Sequence, residues 1–588
     1  MVSSRRRRGV SRTWKSVGVL IPLALLTAVL IAPLNAATPT REDDGARSIL
    51  DQKYGLFVHH VPGLTTDSSG AVVHDANALA DSFDAGRFAD DLASAKVQYV
   101  IFTAWHAKMV TLWPSQKMLD WDLPDHRVNR DLISDMITAV KAKGIHVYLY
   151  THPRDGAEFT AADQVKTGWG TAPSADGKGW HVGADFNRPK WNHFINDIYQ
   201  ELMQRYGNRI DGLFMDEGSP EGDSQTVVDY PRLRNTIKAV NPRAVLIQNY
   251  AGNQYGLDIG MKEQWGYAEF GQPNGDLWPG FAMPVDVTFT QTWWAKDPAG
   301  SLRYSPASMF RYTVLQAATS TDGGGTVWAA GPFADEGWEP GVMPALRQVG
   351  TWIDPIRQSI FGTRPSTSYP TNAGTRIADL QWGVATRAPD DRTEYIHVLK
   401  PPTGQTLTLP APQDGKTFEA ASLVKDGTPV KLSQDANGVK LTIPGAWDAN
   451  DTAIKLTVKE LHDWKLNDNA PGIKYHGSWN ISNDRGANDY QDDIHHTTAN
   501  GDSFSYQFTG TGVDYISSKA VNYGDVKITI TDAAGQIVTQ QTVSATAPGY
   551  RPQQTLFSVT GLPHADYTIS AAKHSGDYLQ LDALRIRR

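Results

Sequence analysis

From Tyr54 to about Thr363, short apolar runs alternate with stretches whose apolar residues recur every three or four positions. The runs are strand-length and bounded by turn residues, so they read as buried strands; the periodic stretches read as amphipathic helices. Residues 54–60 and 97–106 are the first two strands. Leu132, Ile133, Met136, Ile137 and Val140 share one face of a helix over 130–143, which Gly144 ends, and 145–152 is the third strand. A helix over 190–206 leads into the fourth strand, 210–215. A helix over 231–240 and a strand at 244–250 follow. Strands around 265–270 and at 287–294, a helix over 306–318, a strand at 325–330 and a helix over 344–361 complete the series. About eight such repeats predict a parallel sheet closed into a (β/α)8 barrel over 45–364, least regular at the sixth repeat.

Beyond Pro365 the period falls to two. Short alternating strands bounded by Gly, Pro, Asp and Asn, such as 394–399 and 439–443, predict a β-sandwich over 365–460. A second all-β block spans 463–588, with strands at 503–508, 526–530 and 567–569. The fold class is therefore α/β: a (β/α)8 barrel followed by two all-β sandwich domains. No low-complexity linker separates them, so they are expected to pack against one another.

In a barrel of parallel strands the chemistry sits at the C-terminal strand ends. Strand one ends in His59-His60, strand two in Trp105-His106, strand three in Tyr150-Thr151-His152 and strand four in Asp216-Glu217; Glu263 and Glu269 lie around strand six. Imidazoles and carboxylates bond hydroxyl groups and indoles cover ring faces, so this set suits a neutral polyhydroxylated ligand. Cleaving a glycosidic bond takes two carboxyl groups, one ionised and one protonated. Asp216, directly after the apolar Leu213-Phe214-Met215, is the natural first. The second must come from another strand, because Glu217 neighbours Asp216 and points to the opposite face.

At 588 residues the chain has room for three or so domains. It contains 18 Trp and 22 Tyr, a weak pointer to sugar stacking because most Trp are core. The absence of cysteine excludes disulfides, thiolate metal sites and a cysteine nucleophile. Arg5 to Arg8, Arg12 and Lys15 precede an apolar run from Val17 to Leu34 and then Asn35-Ala36-Ala37. That is the layout of a secretory signal peptide over 1–36, with a retained single-helix anchor as the alternative. Its removal takes six positive charges from a formal −8, leaving −14. An acidic exported protein is a poor partner for nucleic acid, and contact with a membrane is expected only if the signal segment is kept.

The whole of residues 54–363 resembles the α-L-fucosidase family of retaining glycoside hydrolases. The resemblance is carried by Tyr54-Gly-Leu-Phe-Val-His59, by Tyr99-Val-Ile-Phe-Thr-Ala-Trp-His106 with Leu112-Trp-Pro-Ser115, and by Asp211-Gly-Leu-Phe-Met-Asp216. Gly323-Gly-Gly325, Gly331-Pro332 and Ile360-Phe-Gly-Thr363 follow the family's closing pattern. The 366–460 block also resembles that family's C-terminal sandwich. By this resemblance Asp216 is the nucleophile, Glu269 the acid/base with Glu263 as second choice, and His59, Trp105, His106, Tyr150, Phe214 and Tyr250 bind substrate. No cofactor and no barrel metal are implied. The protein would be an exo-acting hydrolase working on an oligosaccharide or glycoconjugate by double displacement. Three departures bear on sugar recognition: Trp105-His106 stands for the family's paired histidines, Phe214 for its usual Trp, and Asn249-Tyr250 for a frequent Arg.

Three other readings stay open. Strand-end His and Asp also hold metals in barrel hydrolases, although adjacent His59 and His60 point to opposite faces and cannot chelate one ion. A non-catalytic sugar-binding barrel is the second, and a glycosidase acting on another sugar is the third. The 463–588 block resembles a galactose-binding-like jelly roll, with Trp479, Tyr490 and Tyr523 as a candidate sugar platform. Asp489, Asp492 and Asp493 there are a candidate structural calcium site. Oligomeric state, aglycone and linkage leave no trace in the sequence.

Overall fold

The computed structural model describes residues 44–174, 182–216, 227–249, 257–264, 280–284, 292–319, 323–372, 375–470, 472–533 and 535–588. Eight parallel strands close into a barrel: β1 Tyr54–Val58, β2 Tyr99–Thr103, β3 His146–Thr151, β4 Gly212–Met215, β5 Val245–Asn249, β6 Ile259–Gln264, β7 Gly280–Pro284 and β8 Thr326–Ala329. β8 returns to β1 with Val327 opposite Gly55. Helices such as Leu132–Ala142, Arg188–Tyr206, Tyr230–Val240, Pro306–Ala318 and Val342–Ile353 connect the strands. Their starts are set by side chains that accept orphan amides; Asp131, for example, accepts the Ser134 N–H.

The sixth and seventh strands differ from expectation. They lie at 259–264 and 280–284, upstream of the apolar runs read at 265–270 and 287–294. β6 carries Lys262, Glu263 and Gln264, and β7 begins at a glycine and ends at a proline, so neither shows a bare hydrophobic run. Trp293 and Trp294 follow β7, and the Trp293 carbonyl accepts the His59 N–H at 3.2 Å.

Alternation along the strands sorts side chains into two cores. Phe57, Tyr99, Ile101, Tyr148, Tyr150, Phe214, Ile247 and Val327 fill the lumen. Leu56, Val58, Val100, Phe102, Leu149, Leu213 and Met215 face the helices. The helix Asp44–Gln52 lies where the strands begin: fully buried Ile49 and Leu50 join the lumen cluster, and Tyr148 donates to Gln52 Oε1 at 3.4 Å.

The next unit is a sandwich. A five-stranded sheet, ordered Thr417–Leu423, Thr452–Glu460, Thr393–Val398, Gly383–Arg387 and Arg364–Pro365, shares one core with a three-stranded sheet of Thr406–Leu409, Gly438–Thr442 and Lys431–Asp435. In the C-terminal unit a four-stranded sheet (Trp464–Asn467, Ala583–Arg587, Gly512–Lys519, Arg551–Val559) faces a five-stranded one. The latter runs Lys474–His476, Ser503–Gly510, Ala565–Lys573, Asp525–Asp532 and Ile537–Ser544, and a small sheet of Asn480–Ser482, Ile494–Thr497 and Leu579–Leu581 flanks the pair.

A buried charge cluster joins the two sandwiches. Lys416 Nζ lies 2.6 Å from Asp391, 2.5 Å from Glu394 and 3.1 Å from Asp414, all four side chains fully buried. Arg588 of the C-terminal unit reaches the same Asp391 and Asp414, and Arg364 pairs with Asp566 at 3.4 Å. With Arg387 also 3.6 Å from Asp391, three carboxylates against three cations leave neither charge type buried alone, which is the condition for such a cluster to be tolerated. Among the described residues no helix is long and apolar enough to cross a membrane.

Candidate active site

Alternation in β4 decides where Asp216 points. Phe214 is lumenal and Met215 faces the helices, so the next residue returns to the barrel axis at the C-terminal mouth. Asp216 Oδ2 accepts the Tyr150 hydroxyl at 2.5 Å, and Oδ1 accepts the Asn249 amide at 2.7 Å. The donors come from the strands on either side: Tyr150 pairs with Phe214 in the β3–β4 register, and Gln248 with Met215 in the β4–β5 register, which brings Asn249 level with Asp216. A carboxylate whose two oxygens each accept a donor is held in one orientation.

Beside it three imidazoles stack. His59 and His106 are 5.1 Å apart at 25°, and His106 and His152 are 5.3 Å apart at 21°. The Tyr150 ring meets His59 edge-on at 4.5 Å and stacks on Phe214 at 5.6 Å. Thr103 donates its single hydroxyl proton to the Val58 carbonyl at 3.0 Å, so it must accept from His59 Nδ1 at 2.7 Å. That fixes the tautomer and leaves Nε2 as an acceptor. Burial, with His106 and His152 nearby, holds the His59 pKa well below the ordinary imidazole value, so the ring is neutral. His106 Nδ1 lies 3.7 Å from the buried Asp155 carboxylate. The site thus offers a fixed anion, a neutral acceptor and a wall of aromatic edges, an arrangement able to hold a hydroxylated ring against a nucleophilic oxygen.

The candidate residues divide as follows. Asp216, His59, His106 and Tyr150 converge at the mouth. Phe214 is fully buried and supports Tyr150 from below instead of facing a ligand. Trp105 is a correction: it is fully buried in the outer core against Trp113 and Tyr199, and its Nε1 donates to the His152 carbonyl at 3.0 Å. His106 takes the inward place, and the chain then turns through three residues of positive φ, Ala107, Lys108 and Met109. Tyr250 and Glu269 lie outside the described residues, as does the Glu263 side chain, although Glu263 sits in β6 in register with Met283. His60 points away from the mouth, between Phe83 and Phe102, and its pKa falls to about 4 through burial. Asn249 and Asp155 were not singled out as site residues; Asn249 was visible as the polar end of an otherwise apolar strand.

Among the described residues no group of three or more His, Cys, Asp or Glu side chains is placed to hold a metal ion. The C-terminal aspartates are each engaged within the protein: Asp489 by Arg485 at 2.7 Å, Asp492 by the Gly486 N–H at 2.6 Å, Asp493 by Asn467 and Asn469. Trp479 packs on Tyr475 at 4.7 Å, and Tyr490 lies under the Lys465 ammonium at 4.0 Å.

The family model described as α-L-fucosidase matches residues 75–355. The α-L-fucosidase of Dictyostelium discoideum is 29% identical over 378 residues, 62% of this chain and 73% of that protein. The solved α-L-fucosidase from Vibrio sp. strain EJY3 superposes with a TM-score of 0.53 at 15% identity, covering 92% of this chain and 98% of the other. The Bacteroides thetaiotaomicron α-L-fucosidase, trapped as a covalent intermediate with 2-fluoro-fucosyl fluoride, gives 0.52 at 17% identity over 72% of this chain and 98% of its own.

Proposed function

From the premise that residues 75–355 form an α-L-fucosidase-family domain, we propose that the protein is a retaining exo-glycosidase that removes terminal α-L-fucose or a closely related sugar from glycans. The observation that carries this reading is the Asp216 carboxylate, held at the barrel mouth by Tyr150 and Asn249. In the first step an Asp216 oxygen attacks the anomeric carbon and the aglycone oxygen leaves with a proton from a second carboxyl group, assigned to Glu269 with Glu263 second. In the second step that group takes a proton from water, which displaces the ester. A covalent intermediate of the kind trapped in the Bacteroides enzyme is the species this chemistry requires.

His59 Nε2 accepts from a sugar hydroxyl, His106 offers the next polar contact along the stack, and Tyr150 keeps the nucleophile aimed. The unmatched Trp, Arg and second His of the family pattern place the variation in hydroxyl recognition, which is why a related sugar belongs in the reading. Export through the 1–36 segment is part of the same proposal; the basic cluster, apolar run and Ala36-Ala37 support it.

The test is a panel of aryl glycosides, α-L-fucoside among them, on wild type and Asp216→Gly with and without azide. The variant is expected to lose at least about a thousandfold in kcat, and azide to restore turnover as a glycosyl azide of inverted configuration. Normal rates in Asp216→Gly would remove the nucleophile assignment.

A further inference from the structure

Thr103 ends β2, and Ile101 two residues earlier is lumenal, so the Thr103 side chain also turns inward. At 1% exposure it is closed off from the mouth, and a bound sugar does not touch it. Its surroundings settle where its single proton goes. β1 and β2 pair with Val58 opposite Phe102, which brings the Val58 carbonyl beside Thr103, and the hydroxyl donates to that carbonyl at 3.0 Å. Only lone pairs then remain for His59 Nδ1, 2.7 Å away, so the imidazole proton sits on Nδ1 and Nε2 is the bare nitrogen left for a ligand.

The ring is pinned in that sense. Phe57 meets it edge-on at 4.9 Å, Tyr150 edge-on at 4.5 Å, and His106 stacks on it at 5.1 Å. Its backbone N–H is tied to the Trp293 carbonyl at 3.2 Å. Burial and the neighbouring imidazoles of His106 and His152 oppose a second proton. His59 can therefore take a proton from a ligand hydroxyl and has none to give at Nε2.

We infer that Thr103 is a positioning residue that determines specificity: by fixing His59 as an acceptor, it restricts the site to sugars whose hydroxyl facing His59 is free to donate. This rests on the reading of the barrel as a fucosidase-family glycosidase and adds to it the direction of one recognition bond. A hydroxyl donates; a fluorine, a methoxy oxygen or an acyloxy oxygen on the same carbon only accepts, and sets lone pair against lone pair. A site built to bond a substrate hydroxyl discriminates strongly against analogues that leave its polar groups unmet. Fucosides methylated or acylated at that carbon are thus rejected for lack of a proton as well as for bulk.

The test uses the full chain carrying Asp216→Asn, so that binding is read without turnover. Methyl α-L-fucopyranoside and its mono-deoxy and mono-deoxyfluoro derivatives at C2, C3 and C4 are titrated calorimetrically. At one carbon the deoxy and fluoro sugars are expected to bind equally poorly, each at least about tenfold below the parent sugar. Adding Thr103→Val removes the acceptor of the Nδ1 proton and frees it to move to Nε2. At the same carbon the fluoro sugar should then outbind the deoxy sugar by about threefold or more. Thr103→Ser, which keeps the hydroxyl, should preserve the equality, separating the proton's placement from packing. The comparison without a Thr103 change decides the matter even if Thr103→Val does not fold. A fluoro sugar that outbinds its deoxy counterpart at every carbon before Thr103 is changed, or an equality that survives Thr103→Val, would overturn the inference alone. Failure to bind any of these fucosides would overturn the fucosidase reading along with it.

Discussion

The Tyr150 hydroxyl donates to Asp216 Oδ2 across 2.5 Å, tying the end of β3 to the carboxylate that ends β4. Both side chains are lumenal because their strands pair with Tyr150 opposite Phe214, two residues before the acid. The bond has a chemical purpose. In the proposed nucleophilic role one carboxylate oxygen must stay on the line of attack, and the donors on the two oxygens, Tyr150 and Asn249, hold it there.

Tyr150→Phe keeps the ring stacked on Phe214 and deletes this hydrogen bond. A bond to a charged group is worth about 1.5–3 kcal/mol, so kcat/KM should fall roughly 10- to 150-fold. The companion change Asn249→Asp replaces the other donor with a second carboxylate. Like charges resist joint ionisation, so the acid limb of the kcat/KM profile should move to higher pH. Steady-state rates on an aryl fucoside across the acid range read both; unchanged rates in Tyr150→Phe would show the contact to be incidental.

Trp105→Phe separates a core tryptophan from a sugar-stacking one. The substitution removes the indole donor from the buried His152 carbonyl and should lower stability by about 1–3 kcal/mol, with KM within about threefold of wild type. A KM raised tenfold or more with unchanged denaturant stability would return Trp105 to the binding site.

Lys416→Met removes the cation that three buried carboxylates share. Arg588 would remain against Asp391 and Asp414, with Arg387 3.6 Å from Asp391. Breaking a buried ionic cluster from one side costs about 3–5 kcal/mol. Denaturant unfolding should show that loss in the sandwich units while the barrel transition stays in place.

Asp582 gives a pH test. Burial, with Asp489 and Asp468 nearby, pushes its pKa from 3.8 up to about 7. Because the folded value lies above the unfolded one, its contribution to stability is complete below about pH 4 and is lost as pH rises through about 7. Asp582→Asn should flatten the decline of the thermal midpoint over that window. An identical pH slope in wild type and variant would exclude Asp582 as its source.

The barrel was readable in the chain because burial forces apolar runs into β1 to β5 and β8, and because helix faces such as Leu132–Val140 repeat with the right period. β6 and β7 were displaced because Lys262-Glu263-Gln264 and the flanking Gly280 and Pro284 lack the signal that a buried strand normally shows. The alternation that removed Glu217 and split His59 from His60 applies equally to Trp105 and His106: adjacent residues leaving a strand cannot both face the mouth, and the histidine does. The Asn249 contact needed the β4–β5 register, which depends on pairing between strands and not on local composition. Tyr523 was singled out as an aromatic, but Tyr578, which packs on it at 5.8 Å, comes from a loop that only the sheet topology brings near.

The helix Asp44–Gln52, with Ile49 and Leu50 seated among the lumen side chains, makes the barrel a blind well. In the proposed reaction, aglycone, water and released sugar would then exchange at the end of the barrel where Asp216 lies. That shared route is then expected to slow turnover of bulky glycans, even where the bond-breaking step is fast.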